Sequence, residues 1–311
     1  MNSPVLFIVF NRPDTTWQVF EAIRKTKPPR LYIAADGPRH EREGERASCE
    51  EVRKIALEVD WECDVKTLFR DKNLGCKIAV SEGISWFFEH EDEGIILEDD
   101  CLPDQSFFSF CEELLLRYRH DTRIMAISGV NFQKGRKRTE YSYYFSRYFH
   151  CWGWATWKRA WKFYDRELIA WPEIQKNGFL YDIADGYEPF ASYWSHIFDK
   201  CYSGEIDTWD YQFLLSCWEQ SGLIVLPNIN LVTNIGFGNK ASHTKDKNSP
   251  MSNLPAYKIE FPLNHPLYVI RDMVADKYYE TTILRIFEPS LLDRLRYYIY
   301  VFYRKMGGRS P

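Results

Sequence analysis

A chain of 311 residues is long enough to bury a full core, as one large domain or two smaller ones. A formal net charge of −4 excludes nucleic acid held mainly by phosphate neutralisation, so any phosphate ligand must be gripped locally. Eight scattered cysteines, with no CxxC pair and no metal-finger spacing, fit a reducing compartment, which we take as the cytoplasm.

Residues 4–10 form a near-continuous apolar run that predicts a first strand. It is too short for a signal segment with its flanks, and Asn11-Arg12-Pro13 interrupts it. Pro13 and Asp14 suit a helix start, with Trp17, Phe20 and Ile23 on the inner face. Residues 30–35 predict a second strand, closed by the turn Asp36-Gly37-Pro38-Arg39. A charged helix at about 45–58, a strand at 63–69, a polar turn at 70–75 and a helix at 76–88 follow. The apolar run 94–97 then stops abruptly in Glu98-Asp99-Asp100. Strands alternating with helices at this spacing predict an α/β fold: a mostly parallel central sheet with helices on both faces.

Acids at the carboxyl end of a buried strand emerge where ligands bind in open α/β sheets. Adjacent carboxylates repel one another and resist desolvation, so holding them there calls for a cation or a basic ligand. Hard oxygen donors favour magnesium or manganese. A solvated acidic loop is the other reading of the triplet alone.

Beyond it, Pro103 and Asp104 predict the start of a helix whose apolar positions Phe107, Phe108, Cys111, Leu114 and Leu115 recur at helical spacing. Residues 124–128 predict another strand, and 131–139 a basic loop, either an insertion or a lid. After residue 140 the regular alternation ends, and an α+β half is expected. Much of the 17% aromatic content lies there, as core, as stacking platforms or as a partner surface. We divide the chain into 1–245, with halves 1–130 and 131–245, and an extension 246–311. In the extension, Ser290 precedes a helix whose face carries Leu291, Leu295, Tyr298, Ile299, Phe302 and Met306, with Arg294, Arg296, Arg304 and Lys305 elsewhere. That helix suits a peripheral contact on the inner face of a membrane, or docking on the domain or a second subunit. No segment approaches the apolar length needed to span a bilayer.

Arg12 after the first strand, Asp36-Gly37 after the second, Lys72-Asn73-Leu74-Gly75 after the third and Glu98-Asp99-Asp100 after the fourth resemble the order of nucleotide-sugar contacts in GT-A glycosyltransferases. The Glu-Asp-Asp triplet followed by Pro103-Asp104-Gln105-Ser106-Phe107-Phe108 is similar to the inverting N-acetylglucosaminyltransferase I type. The Trp-Gly-Trp-Ala-Thr-Trp run from Trp152 and the segment Trp209-Asp210-Tyr211 resemble bacterial sugar transferases. The match is stronger over 1–120 and looser to about 245.

The resemblance implies a donor site of Arg12, Asp36, Lys72, Gly75, Lys77, Glu98, Asp99 and Gly153. In it Arg12 and Asp36 lie near the nucleoside base, and Asp36 can accept from a uracil N–H. Asp99 would meet ribose or sugar hydroxyls, Glu98 the sugar, Lys77 phosphate or sugar, and Gly153 would let backbone approach the donor. Asp100 would be the direct ligand of manganese or magnesium in a DXD-like motif, with His243 as the second metal candidate. Asp210 would be the general base and Asp207 a structural helix cap. The implied reaction is transfer from a UDP-sugar, UDP-N-acetylglucosamine among them, to a glycan or glycolipid hydroxyl with inversion, and no nucleic acid is involved. Two other readings use the same acids: a nucleotide-sugar-binding partner subunit without turnover, and a metal-dependent nucleotidyltransferase. The second lacks a glycine-rich phosphate loop of the usual kind in its first turn.

Overall fold

A computed structural model of the protein describes residues 1–237, 251 and 254–286. Its first half alternates as expected: β1 (Val5–Val9), α1 (Pro13–Thr26), β2 (Arg30–Ala35), α2 (Glu45–Ala56), β3 (Asp64–Phe69), α3 (Cys76–His90) and β4 (Glu93–Glu98). Then come β5 (Cys101–Pro103), α4 (Ser106–Tyr118), β6 (Ile124–Ser128), β7 (Tyr143–Ser146) and β8 (Trp154–Trp157). Helices α5 (Lys158–Trp161), α6 (Trp171–Asn177), α7 (Phe179–Ile183), α8 (Glu188–Tyr202) and α9 (Asp210–Glu219) precede β9 (Leu223–Pro227) and β10 (Val232–Asn234). The segment α10 (Met273–Tyr278) runs into a π turn at Tyr279–Ile283.

Eight strands form one sheet in the order β3-β2-β1-β4-β8-β6-β9-β7. Only β8 and β7 run against the other six, so the sheet is mostly parallel. Along β1 successive side chains leave on opposite faces, which sorts them into two cores. Leu6 and Ile8 join α3, α8 and α9 through residues such as Phe87, Phe198 and Phe213. Val5, Phe7 and Val9 join α1, α2 and α4 through Phe20, Val52 and Phe110.

Two expectations change. The predicted helix at Pro103-Asp104 begins later, because Cys101–Pro103 pairs as β5 with β10 in a separate two-stranded sheet. Asp104 then stands just before α4, its Oδ1 accepting from the Ser106 backbone N–H at 2.9 Å. The second half is built on the first through the same sheet, since β7, β8 and β9 extend it and β6 lies between β8 and β9. The 131–139 loop is held at both ends: Asn131 Nδ2 donates to Pro227 O at 2.6 Å and the Arg138 N–H to Asn228 Oδ1 at 2.9 Å. Residues 254–286 also pack on this body, with Ile259 and Leu263 buried in its core. The predicted helix after Ser290 lies outside the described residues. Among those residues no helix is long and apolar enough to cross a membrane.

Trp154 shows what the aromatic half contributes. It is fully buried, stacked on Trp209 at 5.5 Å and edge-on to Phe149 at 4.8 Å, while its indole N–H has no hydrogen-bond partner. Its value is therefore volume rather than polarity. Chemical denaturation should show Trp154→Ala losing about 3–5 kcal/mol, and Trp154→Phe losing markedly less because no hydrogen bond is broken. Equal losses would mean that the indole N–H matters.

Candidate functional site

The carboxyl ends of β1, β2 and β4 open into one cleft of about 1520 Å³, where residues from both halves of the chain meet. Arg12, Asp36, Gly75, Glu98, Asp99, Asp100 and Asp210 all line it. Lys72, Lys77 and Gly153 are not among its lining residues. Lys72 is exposed, and Lys77 donates from Nζ to Glu167 at 2.9 Å. Gly153 has φ +64°, and a Cβ there would come within 2.7 Å of Val232 and 3.3 Å of Leu97. That glycine serves packing behind β4. His243 lies outside the described residues.

The acidic triplet is built around Arg12. Its Nη1 donates to Asp100 Oδ2 at 2.8 Å and its Nη2 to Asp99 Oδ1, while the Phe10 N–H reaches Asp99 Oδ2 at 3.1 Å. Asp99 is 2% exposed, and both of its oxygens are taken by protein donors. Burial opposes the charge on Arg12, but attraction to Asp99 and Asp100 outweighs it and raises its pKa further. Burial, followed by repulsion from Asp100 and Asp99, pushes Glu98 up to about 8. Burial likewise pushes Asp99 up to about 6 against the pull of Arg12. The backbone after β10 closes over this group: the Ile235 N–H donates to Asp100 O at 2.8 Å. A Cβ on Gly236 would lie 2.1 Å from Asp100 Oδ2 and 2.6 Å from Arg12 Nη1, so only glycine lets the chain pass there.

Asp36 has a different employment from the one its position suggests. Its carboxylate accepts from the backbone N–H groups of Gly37, Leu74 and Gly75 at 2.8, 3.0 and 3.2 Å, and from Asn73 Nδ2 at 2.9 Å. It organises the turn 73–75 with oxygens that a uracil N–H would need. Asp207 is a cap, but of another helix. Its oxygens accept from the N–H groups of Cys76 and Lys77 at 3.2 and 3.0 Å, closing the N-terminus of α3 rather than that of α9. Gly75 has φ +81°, and a Cβ on it would meet Asp207 Oδ2 at 3.0 Å, so both the turn and the cap require glycine.

Asp210 opens α9 on the other side of the chain's midpoint, its Oδ1 accepting from Thr208 Oγ1 and its Oδ2 lying 4.0 Å from Cys151 Sγ. The lining also brings residues that sequence reasoning did not single out: Tyr148, His150, Cys151, Trp194 and Tyr279. Burial lowers His150 to about 3, so it faces the cleft as a neutral ring. Nothing in the local pattern marks these residues, because their side chains converge through the folds of β7, α8 and the π turn. Glu45 resembles an ordinary first-turn helix acid, yet it accepts from Asn11 Nδ2 at 2.8 Å and from Arg39 Nε at 2.9 Å at the cleft edge.

Among the described residues no group of three or more His, Cys, Asp or Glu is arranged to hold a metal by itself. Asp99 is spent on Arg12 and Phe10, which leaves Asp100 and Glu98 as oxygen donors. That set fits magnesium or manganese only as a shared ion, with a diphosphate and water completing the shell.

No family model matches the chain, and no curated protein matches it. Among solved structures it is similar to an apo UDP-glucose pyrophosphorylase at 8% identity and TM-score 0.38, covering 75% of this chain and 93% of that one. A cytidylyltransferase from Leptospira borgpetersenii serovar Hardjo-bovis matches at 15% identity and TM-score 0.32, over 57% of this chain and 73% of that one. The glycosyltransferase GlyE from Streptococcus pneumoniae matches at 11% identity and TM-score 0.31, over 72% of this chain and 45% of that one. Scores this low carry no argument for one chemistry over another.

Arg12 gives the first test. Arg12→Ala leaves Asp99 buried and uncompensated, which should cost about 3–5 kcal/mol at about pH 8 in denaturant unfolding. An acid whose folded pKa lies above its unfolded value is most stabilising when protonated, and that stability is lost as pH rises through the folded pKa. The variant should therefore recover toward wild type at about pH 5, and a cost independent of pH would show that the pair is not what Arg12 supports.

Proposed function

We propose that the cleft binds a nucleoside-diphosphate sugar and transfers the sugar to an acceptor hydroxyl. The observation that supports this most is the meeting of two acidic groups in one cleft: Asp100 with its neighbours at the end of β4, and Asp210 at the start of α9. One end suits a diphosphate with its cation, and the other suits proton removal beside aromatic surface for a sugar ring. The sequence resemblance to inverting sugar transferases points the same way.

In this reading Asp100, aided by Glu98, would hold the diphosphate's magnesium or manganese, which would supply charge stabilisation to the departing nucleotide. Arg12 keeps Asp99 and Asp100 apart from each other's repulsion and aims Asp100 into the cleft. Asp210 accepts the proton of the acceptor hydroxyl as that oxygen attacks the anomeric carbon, and the bond to the nucleotide's β-phosphate oxygen breaks. Thr208 holds one carboxylate oxygen of Asp210, and Cys151 lies beside the other, which sets the carboxylate's orientation at the cleft wall. The Asp36 contact that would favour uracil is already filled by amides, so UDP as the nucleotide rests on the resemblance. The acceptor is a glycan or glycolipid, and homo-oligomer or membrane contact through the segment after Ser290, which the sequence predicts as a helix, belongs to the same proposal.

Calorimetric titration of UDP with and without manganese tests the donor side. Binding should require the metal, manganese alone should give little heat because its shell is incomplete, and Asp100→Ala should abolish the signal. No binding of UDP under either condition would remove the donor assignment. Asp210→Asn should abolish sugar transfer while UDP binding stays nearly intact, and an active Asn variant would exclude Asp210 as the base. Release of pyrophosphate from a nucleoside triphosphate, instead of UDP from a UDP-sugar, would identify a nucleotidyltransferase.

A further inference from the structure

Outside the cleft's lining, among the described residues, lies a stretch of exposed apolar side chains. Leu267, Tyr268 and Ile270 are 76, 73 and 69% exposed, and Met273 and Val274 add 58 and 64%. Single exposed apolar residues need no explanation, but five within eight positions form a patch of the kind that marks an interaction surface. The stretch is firmly placed. Val269 packs into the core, the Asp272 N–H donates to Phe145 O at 2.8 Å, and Arg271 bridges to Phe145 on β7. Inward positions thus anchor the segment and leave the others turned out.

Its charges are internally matched. Arg271 pairs with Asp185 at 2.7 Å and Asp272 with Arg138 at 3.1 Å, so the apolar patch brings no unpaired charge of its own. The Arg138–Asp272 pair also draws the 134–137 loop alongside, where Lys134, Arg136 and Lys137 are exposed and Arg136 lies 4.3 Å over the Tyr278 ring. Glu140 offsets Lys137 at 2.7 Å, which leaves Lys134 and Arg136 as the cationic rim. Apolar side chains bordered by cations match the interface of a bilayer with anionic headgroups.

We propose that residues 267–274 and the 134–137 loop together dock the protein on an anionic membrane surface. Leu267, Tyr268, Ile270, Met273 and Val274 enter the headgroup region, and Lys134 and Arg136 contact lipid phosphates. Resting on the transferase reading, this names the acceptor as a lipid-anchored glycan.

The test is co-sedimentation of the full chain with vesicles of phosphatidylcholine alone and of phosphatidylcholine mixed equally with phosphatidylglycerol. Wild type should bind the mixed vesicles, with an affinity that falls as salt is added. A Leu267→Ser, Ile270→Ser, Val274→Ser triple variant should partition at least about tenfold more weakly, and Lys134→Glu with Arg136→Glu should erase the preference for anionic lipid. Both variants change exposed side chains outside the cleft, so their UDP titrations with manganese and their melting temperatures should match wild type. Those titrations separate a failure of docking from a failure of the donor assignment. Wild type remaining in the supernatant, or a triple variant that sediments as well as wild type, would overturn the proposal. So would a wild-type dimer in sedimentation velocity that the triple variant converts to monomer, which would make the patch a self-contact.

Discussion

The cleft depends on one buried interaction: a single guanidinium, Arg12, spanning two consecutive carboxylates, Asp99 and Asp100. Three acids in succession at the end of a buried strand would otherwise repel one another in a poorly solvated place. Arg12 comes from the turn after β1, the strand hydrogen-bonded to β4, so parallel pairing alone brings the cation to the acids. Breaking such a pair leaves a charge that burial makes costly, which ties the integrity of the site to that of the sheet. Gly236 adds the last constraint, because its backbone passes against both partners of the Arg12–Asp100 pair.

Carboxylates in this protein divide by what fills their oxygens. Asp36 is saturated by the turn 73–75, Asp207 by the first amides of α3, and Asp99 by Arg12 and Phe10. All three bring distant parts of the chain together, and they fix the cleft's outline before any ligand arrives. Asp207 does so across the two halves of the chain, since α3 belongs to the first and Asp207 to the second. A ligand therefore meets a preformed shape, with Glu98, Asp100 and Asp210 along its wall.

How much of this was legible follows from the physics of each feature. The strand-helix alternation through β4 is local, carried by apolar runs and turn residues, and its boundaries shift by only a residue or two. The triplet at the end of β4 was legible because charge next to a buried strand is conspicuous. Asp36 was read for its position at a strand end, but a short acid followed by glycine is also a turn-former, and the amides of a later loop claimed it. Gly153 was read as a close approach to a ligand, whereas the residue it must accommodate is Val232, some eighty positions away in sequence. Gly236 is a second close backbone approach, and only its long-range meeting with Asp100 and Arg12 reveals it. Pairings such as β5 with β10, or Asp207 with α3, have no local signature at all.

The same logic of edges accounts for the far side of the sheet. An open sheet leaves two strands with unpaired backbone groups, and proteins blunt such edges with charge or cover. At one edge β3 alternates Asp64 and Lys66 with apolar residues, so charge stands along it. At the other edge β7 is fully buried and carries no charged residue of its own. The chain covers it with the segment through Arg271 instead, whose inward residues bridge to Phe145 and whose outward residues include Leu267, Tyr268 and Ile270. An edge cover that needed only to be inert would carry polar residues outward. Apolar residues at those positions give the cover a second surface, and the cations that Arg138 holds beside it give that surface its chemical direction.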